Sequence, residues 1–358
     1  MTPELHRSQA PSWVWLAALF LLGVLSGCSG VPQDNDDDLP PADIELVCDR
    51  DYYPLLREMV ESAEEHVEVA QWEFFSSPST NRLIATLNNA VERGVPVRVL
   101  LDESIEANHT AIQAFETYGI EAKLDSSSNR RVHTKMVVVD SQTAIIGSTN
   151  WSGAALDSNR ECNVIVRSGP TPSYFDAWFE QLWDDSGDRS SPDRDAGEEQ
   201  LALALVNDDL LPQLLERIAA ASQSIDFTLY ATFLQPSNLS SPAMQVFSAL
   251  AEAEARGVPV RGVADFTTWS PENNDSNQEA VSWLRDRGVE MRWDDPDANM
   301  HAKVFLIDEG TQVQTANISS SGLSQNHEGG VWSKDEGVRQ AAQDWFEDLW
   351  GESTHIRP

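Results

Sequence analysis

The sequence predicts an α/β protein built from two divergent copies of one unit, and three repeated patterns support this fold class. Residues 92–98 (ERGVPVR) recur as residues 255–261 (ARGVPVR). In both copies a strand-like run and then an apolar helical pattern precede this heptapeptide. Each half also ends in a similar aromatic helix, YFDAWFEQLW and QDWFEDLW. Two mixed sheets flanked by helices, one in each half, account for all three patterns.

The same elements are expected in the same order in both halves. Each half starts with an amphipathic helix, continues with a strand and a second helix, and then reaches the heptapeptide. The glycine of the heptapeptide ends the second helix, and the proline stands at the entry to the next strand. The helices are predicted at residues 53–63, 83–91, 210–221 and 244–253, and the strands at residues 67–72 and 225–230. A polar stretch, residues 184–199, is predicted to link the halves.

The N-terminus is typical of an export signal. Residues 13–25 form an apolar run that is too short to cross a bilayer comfortably but has the length of a secretory signal. The run ends in the letters LSGC, which resemble a bacterial lipobox and imply cleavage before Cys28 and lipidation of its thiol. We therefore expect a signal peptide at residues 1–27 and a polar tether at residues 28–43. The expected location is that of an exported lipoprotein, on the periplasmic side or surface of the outer membrane. An ordinary secretory signal is the alternative.

The composition restricts the partners of the protein. The chain has 358 residues, 41% of them hydrophobic, which is enough for a buried core. Its formal net charge is −34. A surface this acidic repels polyanions and gains nothing from counterion release, so no tight nucleic-acid binding is expected.

Two cysteines, Cys48 and Cys162, follow the predicted cleavage point. An oxidising compartment permits a disulfide between them. Two buried free thiols fit the sequence equally well.

Two histidine–lysine motifs indicate the chemistry of the chain. The pattern H-x-K-x-x-x-x-D occurs twice, at His133, Lys135 and Asp140 and at His301, Lys303 and Asp308. The chain has four lysines and seven histidines, and each motif uses one of each. Because side chains alternate along a strand, His133 and Lys135 share a face of a strand predicted at residues 131–140 and can meet one phosphate. The aspartate points to the other face and is expected to support the hairpin. This arrangement favours chemistry on a phosphodiester.

A second pair of polar residues follows each motif. The next predicted strand, residues 144–150, places Ser148 and Asn150 on one face, and Thr315 and Asn317 occupy matching places in the second half. Together, H-x-K-x(4)-D and G-S-x-N resemble the signature of the phospholipase D superfamily.

The resemblance covers the chain from about residue 44 to the end. The first half carries the whole signature, whereas the second half has Gln314 and Thr315 where the family has Gly and Ser. Gln314 is therefore expected to add bulk near the site. The N-x-E element of the family follows both motifs and ends in Glu161 and Glu328.

The resemblance implies two tandem phospholipase D-like domains, residues 44–185 and 201–358, joined by a linker at residues 186–200. It implies a pseudo-two-fold axis between them and an active site at their interface. It also implies a metal-independent phosphodiesterase that forms a phosphohistidine intermediate and needs no cofactor. The implied roles are nucleophile for His133, acid and base for His301, phosphate binding for Lys135, Lys303, Asn150, Asn317, Ser148 and Thr315, and tautomer control for Glu161 and Glu328.

The leading functional hypothesis is a phospholipase D that hydrolyses glycerophospholipids to phosphatidic acid and a free head group. Its expected partners are a phospholipid substrate and a membrane reached through lipidated Cys28, and a monomer is expected because one chain holds both motifs. The segments 232–244 and 266–278 carry Phe233, Phe266 and Trp269, which are expected to rim a lipid pocket unless these are ordinary surface loops. The alternatives are a cardiolipin synthase-like phosphatidyltransferase, an exported metal-independent nuclease and a non-enzymatic binding protein.

Overall fold

The computed structural model describes residues 43–126, 130–194, 201–268 and 270–357. The predicted signal peptide, Cys28, nearly all of the tether and Trp269 lie outside these residues. Within the described ranges the chain forms two seven-stranded mixed sheets flanked by helices, which confirms the predicted fold class. None of the helices in these ranges combines the length and apolar composition that a membrane crossing requires.

Helices and strands alternate along both halves except for one run of three consecutive strands in each. The helices are α1 Tyr52–Glu61, α2 Pro78–Glu92, α3 Glu106–Thr117, α4 Gly153–Asp157, α5 Pro170–Asp184, α6 Leu210–Ala220, α7 Pro242–Ala255, α8 Pro271–Arg285, α9 Ser320–Ser324 and α10 Glu336–Glu352. The strands of the first half are β1 Ile44–Cys48, β2 Val67–Gln71, β3 Val97–Leu101, β4 Glu121–Leu124, β5 Lys135–Val139, β6 Thr143–Gly147 and β7 Cys162–Val166. The strands of the second half are β8 Ala202–Val206, β9 Ile225–Leu229, β10 Val260–Ala264, β11 Glu290–Trp293, β12 Val304–Ile307, β13 Gly310–Gln314 and β14 Gly329–Ser333.

The two sheets have the same strand order. The first runs β1-β7-β6-β5-β2-β3-β4, and the second runs β8-β14-β13-β12-β9-β10-β11. In each sheet the three strands that follow the first three long helices run parallel to one another, and the remaining pairs are antiparallel. The sequence repeat is therefore a repeat of topology.

The heptapeptide behaves as its residues predict. Gly94 and Gly257 follow the C-caps of α2 and α7 with φ of +90° and +91°, a conformation that glycine adopts without a steric penalty. The prolines stand directly before β3 and β10. At the other end of α2 and α7, Ser77 and Ser241 accept hydrogen bonds from the first turn, and a proline occupies the first helical position.

The strand predicted at residues 131–140 is shorter than expected. It spans Lys135–Val139, so His133 lies in an irregular segment before it. The backbone N–H of His133 donates to the carbonyl of His327 in the other half, which draws this segment out of the sheet. At its other end Asp140 adopts a φ of 54°, which cannot continue a strand. The next strand likewise ends at Gly147, before Ser148 and Asn150.

A shared core joins the two halves. One buried apolar cluster belongs to the first half, another to the second, and a third combines side chains of both. Within the shared cluster Phe175 and Trp178 of α5 and Phe346 of α10 pack with strands of both sheets. In the predicted linker the Arg189 side chain is buried and donates to the carbonyl of Asn326. The described residues therefore lie within one compact unit.

Cys48 and Cys162 form a disulfide. They are directly paired residues of the antiparallel strands β1 and β7, and Cys162 is fully buried. The bond therefore fixes the edge strand β1 onto the sheet. The structure thus selects one of the two states that the sequence allows.

Loss of this disulfide is expected to lower the free energy of unfolding by about 2–4 kcal/mol, because the bond restricts a long loop of the unfolded chain. Urea unfolding of residues 43–358 with and without dithiothreitol measures the difference. These two are the only cysteines among residues 43–358, so reduction changes nothing else covalently. The Cys48→Ala, Cys162→Ala double variant should match the reduced protein and ignore dithiothreitol. Equal stability in both redox states would contradict the expectation.

Candidate active site

The two motif histidines are held by glutamates of the opposite halves. Nδ1 of His133 lies 3.0 Å from a carboxylate oxygen of Glu328, and Nδ1 of His301 lies 2.8 Å from one of Glu161. Backbone bonds next to each pair cross in the same way: the His301 N–H donates to the Arg160 carbonyl at 2.9 Å. The contacts are reciprocal, as expected for two related units that meet on a pseudo-two-fold axis.

Each glutamate is fully buried and fixed by groups of its own half. Asn159 donates to Glu161 and Asn326 donates to Glu328, both at 3.1 Å. Because each carboxylate accepts from Nδ1, the facing imidazole carries its proton there when neutral. The Nε2 lone pair of each histidine is then available to a ligand.

The hydroxyls of Ser148 and Thr315 serve the glutamates. Ser148 donates to Glu161 and Thr315 donates to Glu328. Each hydroxyl also accepts a backbone N–H at 3.0 Å, and both residues are fully buried. The sequence assigned these hydroxyls to a phosphate, but in the structure each one donates to a carboxylate. Both residues follow the end of a strand, so the alternation of faces that the prediction used does not extend to them.

The two lysines of the site are buried. Nζ of Lys135 donates to the His133 carbonyl at 2.5 Å, and Lys303 donates to the His301 carbonyl. Burial lowers the pKa of Lys135 to about 8 and that of Lys303 to about 7. Both ammonium groups therefore lose their charge at a lower pH than an exposed lysine does.

Both histidines are neutral when no ligand is bound. Burial lowers the pKa of each to about 4, and the neighbouring lysines act in the same direction against the facing glutamate. Burial raises the pKa of Glu161 and Glu328, but the facing histidine and lysine lower it by more, so both remain carboxylates. The site thus combines two nucleophilic imidazoles with two cations.

Each imidazole contacts an aromatic ring that the sequence analysis did not single out. The Trp72 ring lies edge-on to His133 with centroids 5.0 Å apart, and the Tyr230 ring lies edge-on to His301 at 4.3 Å. Both residues directly follow the central strands β2 and β9. The sequence signal for these two residues is that an aromatic follows the same predicted strand in both halves.

One buried aspartate holds the backbone just before each motif histidine. Asp102 accepts from the N–H of Val132 at 2.7 Å, and Asp265 accepts from the N–H of Met300 at 2.9 Å. Burial raises the pKa of both, to about 7 for Asp265. They directly follow β3 and β10 and could have been noticed as acids at the ends of apolar strands.

The site is asymmetric at Glu73. Its carboxylate is hydrogen-bonded to Asn150 and interacts electrostatically with Lys135 and Lys303, and burial raises its pKa. The matching position in the second half is Ala231. Glu73 belongs to no repeated motif, so no local pattern in the sequence marks it.

Asn150 and Asn317 have unused hydrogen-bonding capacity. The side-chain oxygen of each is buried and has no partner among the described residues. Each side chain therefore keeps an oxygen that can accept a hydrogen bond from a ligand.

The bulk of Gln314 is absorbed in the sheet. Gln314 pairs with Gly330, where an added Cβ would lie 2.9 Å from the Cβ of Gln314. In the first half the arrangement is reversed, because Gly147 pairs with Asn163 and an added Cβ would overlap the asparagine. In the first half the glycine is on β6 and the larger side chain on β7, whereas in the second half the larger side chain is on β13 and the glycine on β14. Gln314 therefore fills the space that Asn163 fills in the first half.

Asp140 and Asp308 lie away from the site. Asp140 accepts three backbone N–H bonds, from Glu64, Glu65 and His66 at 2.8–2.9 Å. Asp308 accepts from the corresponding loop of residues 222–224. These bonds tie the β5–β6 and β12–β13 hairpins to the loops before β2 and β9. Burial raises the pKa of both aspartates, but the hydrogen bonds lower it by more, so the net shift is downward.

The two segments predicted to rim a lipid pocket differ in structure. Phe233 is 61% exposed, and its counterpart Phe75 in the first half is 44% exposed. Phe266 instead packs edge-on against Trp293. Most of the segment 266–278 belongs to α8. Of the two described phenylalanines, only Phe233 therefore has the exposure that a rim requires.

Comparison with known proteins identifies the repeat. The family described as "Cardiolipin synthase, PLD-like domain" matches residues 56–183 and 214–350. The mitochondrial cardiolipin hydrolase of Mus musculus is 32% identical over 112 residues, which are 31% of this chain and 49% of that protein. The match thus spans about half the length of that relative.

A longer match covers both halves. Cardiolipin synthase B of Escherichia coli is 24% identical over 324 residues, which cover 82% of this chain and 76% of that protein. The crystal structure of phosphatidylserine synthase from Haemophilus influenzae superposes with a TM-score of 0.68 at 10% identity, covering 88% of this chain and 87% of that one. At this identity the likeness shows the fold.

Glu161→Gln is expected to change the imidazole resonances of His301 and to leave those of His133 in place. A carboxylate raises the pKa of the imidazole that it contacts, so its loss should lower the His301 pKa further. Long-range nitrogen–proton spectra of the histidine rings measure both residues. Glu328→Gln is the matched control and should affect His133 alone. The opposite assignment would show that each glutamate serves its own half.

Sulfate is expected to bind about tenfold more weakly as the pH rises through about 7 to 8, because Lys303 and Lys135 lose their protons in this range. Sulfate itself keeps its charge over these pH values, so any change in affinity comes from the protein. Isothermal titration between pH 5.5 and 9 measures the change. Lys303→Met should weaken binding at low pH and remove the lower of the two steps. Lys334→Met, at an exposed lysine, serves as the control. An affinity that is constant over this range would refute the assignment of the lysines to an anion site.

Proposed function

The chain belongs to the phospholipase D-like family, and from that premise we propose that it hydrolyses glycerophospholipids to phosphatidic acid and a free head group. Proteins of this superfamily act on phosphodiester bonds. The observation that supports the proposal most is the pair of crossed histidine–glutamate contacts beside two buried lysines. This grouping supplies a nucleophile, a proton donor and an anion site in one place.

In the first proposed step Nε2 of His133 attacks phosphorus. The N–P bond forms, the bond from phosphorus to the head-group oxygen breaks, and His301 gives its Nε2 proton to that oxygen. His133 is taken as the nucleophile by analogy with the family. Splitting the displacement in this way replaces one difficult step by two easier ones.

In the second step water replaces the histidine. Neutral His301 accepts a proton from the water, the oxygen attacks phosphorus, and the N–P bond breaks. His133 is neutral again, and His301 holds the proton taken from water until phosphatidic acid leaves. The empty site then releases that proton, and binding of the next phosphodiester restores it. An alcohol in place of water would give transfer by the same steps.

The charged groups account for the proton on His301. In the empty site burial and the lysines hold its pKa at about 4. A phosphodiester monoanion between the lysines offsets their charge, and Glu161 then favours the imidazolium. Lys135, Lys303, Asn150 and Asn317 would contact the non-bridging oxygens, where charge develops during displacement.

Lipid is favoured over other phosphodiesters by the rim and by charge. The exposed Phe75 and Phe233 each lie three residues beyond the aromatic that contacts a motif histidine. Glu73 adds a carboxylate beside the lysines, which suits a head group that carries a positive charge. The net charge of −34 also disfavours anionic surfaces. Zwitterionic phospholipids are therefore the proposed substrates.

Location and assembly follow the same proposal. An exported lipoprotein held through Cys28 on the periplasmic side or surface of the outer membrane would meet such lipids directly. The Cys48–Cys162 disulfide supports an oxidising compartment. One chain supplies both histidines, so a monomer is sufficient. Residues 44–185 and 201–358 are proposed as the two domains.

Phosphatidyl transfer is the second candidate. It is favoured by the match to cardiolipin synthase B, which covers 82% of this chain, whereas the match to the hydrolase covers 31%. The two candidates share the proposed phosphohistidine and differ only in the acceptor.

Residues 43–358 are expected to release choline and phosphatidic acid from phosphatidylcholine in the presence of EDTA. Mass spectrometry of the lipid products measures this beside phosphatidylglycerol with glycerol and short single-stranded DNA. His133→Asn should lower the rate by about 1000-fold or more, since it removes the nucleophile. His355→Asn, at an exposed histidine outside the site, should retain the full rate.

Formation of cardiolipin without phosphatidic acid would indicate a phosphatidyltransferase, and cleavage of the DNA would indicate a nuclease. Both results would keep the histidine assignment. Equal turnover by His133→Asn and the unaltered protein would refute the assignment itself.

A further inference from the structure

A second cluster of ionisable side chains lies at the far end of the first sheet. His66 directly precedes β2, Glu68 is its second residue, and both face Asp176 on α5. One ligand atom of each residue lies within 4.8 Å of the others, and Nε2 of His66 is 3.2 Å from the Asp176 carboxylate. At about 3.3 Å per residue the strand separates Glu68 by about 13 Å, and His66 by about 20 Å, from Trp72 at the active site. It is therefore independent of the proposed chemistry.

The Glu68 side chain is the unusual member of the cluster. It is only 2% exposed, and one of its oxygens is paired with Arg98. The other oxygen is buried, has no hydrogen-bond donor among the described residues, and faces the Asp176 carboxylate. A buried carboxylate oxygen without a donor is costly unless a proton or a cation satisfies it.

The second half of the chain shows how the same position is satisfied without a ligand. Asp226 replaces Glu68 there and is paired with Arg261, as Glu68 is with Arg98. Its second oxygen accepts from the side-chain amide of Gln343 at 3.3 Å. Gln343 occupies the position of Asp176, and Ser224 that of His66. Where the second half has the amide of Gln343 and the hydroxyl of Ser224, the first half therefore has a carboxylate and an imidazole, which are groups that bind metals.

The arginine beside the cluster is shared with a third carboxylate. Arg98 is paired with Glu180 as well as with Glu68, so its charge is already shared between two carboxylates. Burial and then Asp176 raise the pKa of Glu68 to about 8, while contacts with His66, Glu68 and Ser141 outweigh burial and lower the pKa of Asp176 to about 2.

We propose that His66, Glu68 and Asp176 bind one divalent transition-metal ion, with Zn²⁺ as the best match. One imidazole nitrogen and two carboxylate oxygens are a common ligand set for Zn²⁺, and water would complete the tetrahedron. Two carboxylates neutralise the ion, and the strongly acidic surface raises its local concentration. His66 and Asp176 remain about one-quarter exposed, which provides a way in. The ion joins α5 to β2 and so acts on stability.

The test is a titration of the EDTA-treated, desalted protein with ZnCl₂, followed by thermal unfolding. One equivalent should bind and raise the midpoint of unfolding. His66→Ala should weaken this binding by about 100-fold or more. His133→Asn should retain the full equivalent, which excludes binding at the active site, and His355→Ala excludes adventitious binding by an exposed histidine.

Asp176→Asn separates the metal from a shared proton. It removes a ligand but gives Glu68 the amide donor that Gln343 gives Asp226, so this variant without zinc should unfold at or above the midpoint of the metal-free unaltered protein. Zinc should no longer raise that midpoint. Zinc stabilisation that is the same in Asp176→Asn and the unaltered protein, or absent from both, would overturn the proposal. Phosphodiesterase activity in EDTA is measured separately, so a failure of either proposal leaves the other testable.

Discussion

The contacts between each histidine and a glutamate of the opposite half are the constraint on which the rest of the structure depends. Neither half holds a complete histidine–glutamate pair, because Glu328 orients His133 and Glu161 orients His301. The halves must therefore be docked closely enough to keep both contacts at hydrogen-bond distance. The shared apolar core and the crossed backbone bonds around Arg160 provide that precision. Fold and site are joined by one interface.

The repeat acts as an internal control within this symmetric framework. Where the two halves differ in shape alone, the difference is compensated locally: Gly147 faces Asn163, and Gln314 faces Gly330. Where they differ in charge, the added charge meets a group of opposite charge. Glu73 stands opposite Ala231 in the repeat and interacts with Lys135 and Lys303, and Asp176 stands opposite Gln343 and contacts His66. Differences in shape preserve the packing, whereas differences in charge change the chemistry of the position.

The electrostatics of the chain are organised around scarcity of positive charge. A protein with a net charge of −34 uses four lysines, and two of them are buried beside the motif histidines. Burial brings the lysines close to losing their protons and keeps the imidazoles neutral. An anion in the site stabilises the charge on all four groups at once. Binding of an anion that both ammonium groups can contact is therefore expected to raise the pKa of the lysines and the histidines.

The sequence by itself determined the repeated α/β topology, the glycine and proline positions of the heptapeptide, and the residues that gather at the site. Of the site it determined the motif histidines and lysines and the two glutamates, and not Trp72 or Tyr230. What it determined follows from local periodicity, backbone preferences and repeated motifs, which need only neighbouring residues. Only the tertiary structure decided which glutamate meets which histidine, that Ser148 and Thr315 support the carboxylates, that Cys48 and Cys162 join, and that Glu73 enters the site. Each of these depends on contacts between residues far apart in the chain, and local patterns carry no information about which distant partner a side chain meets.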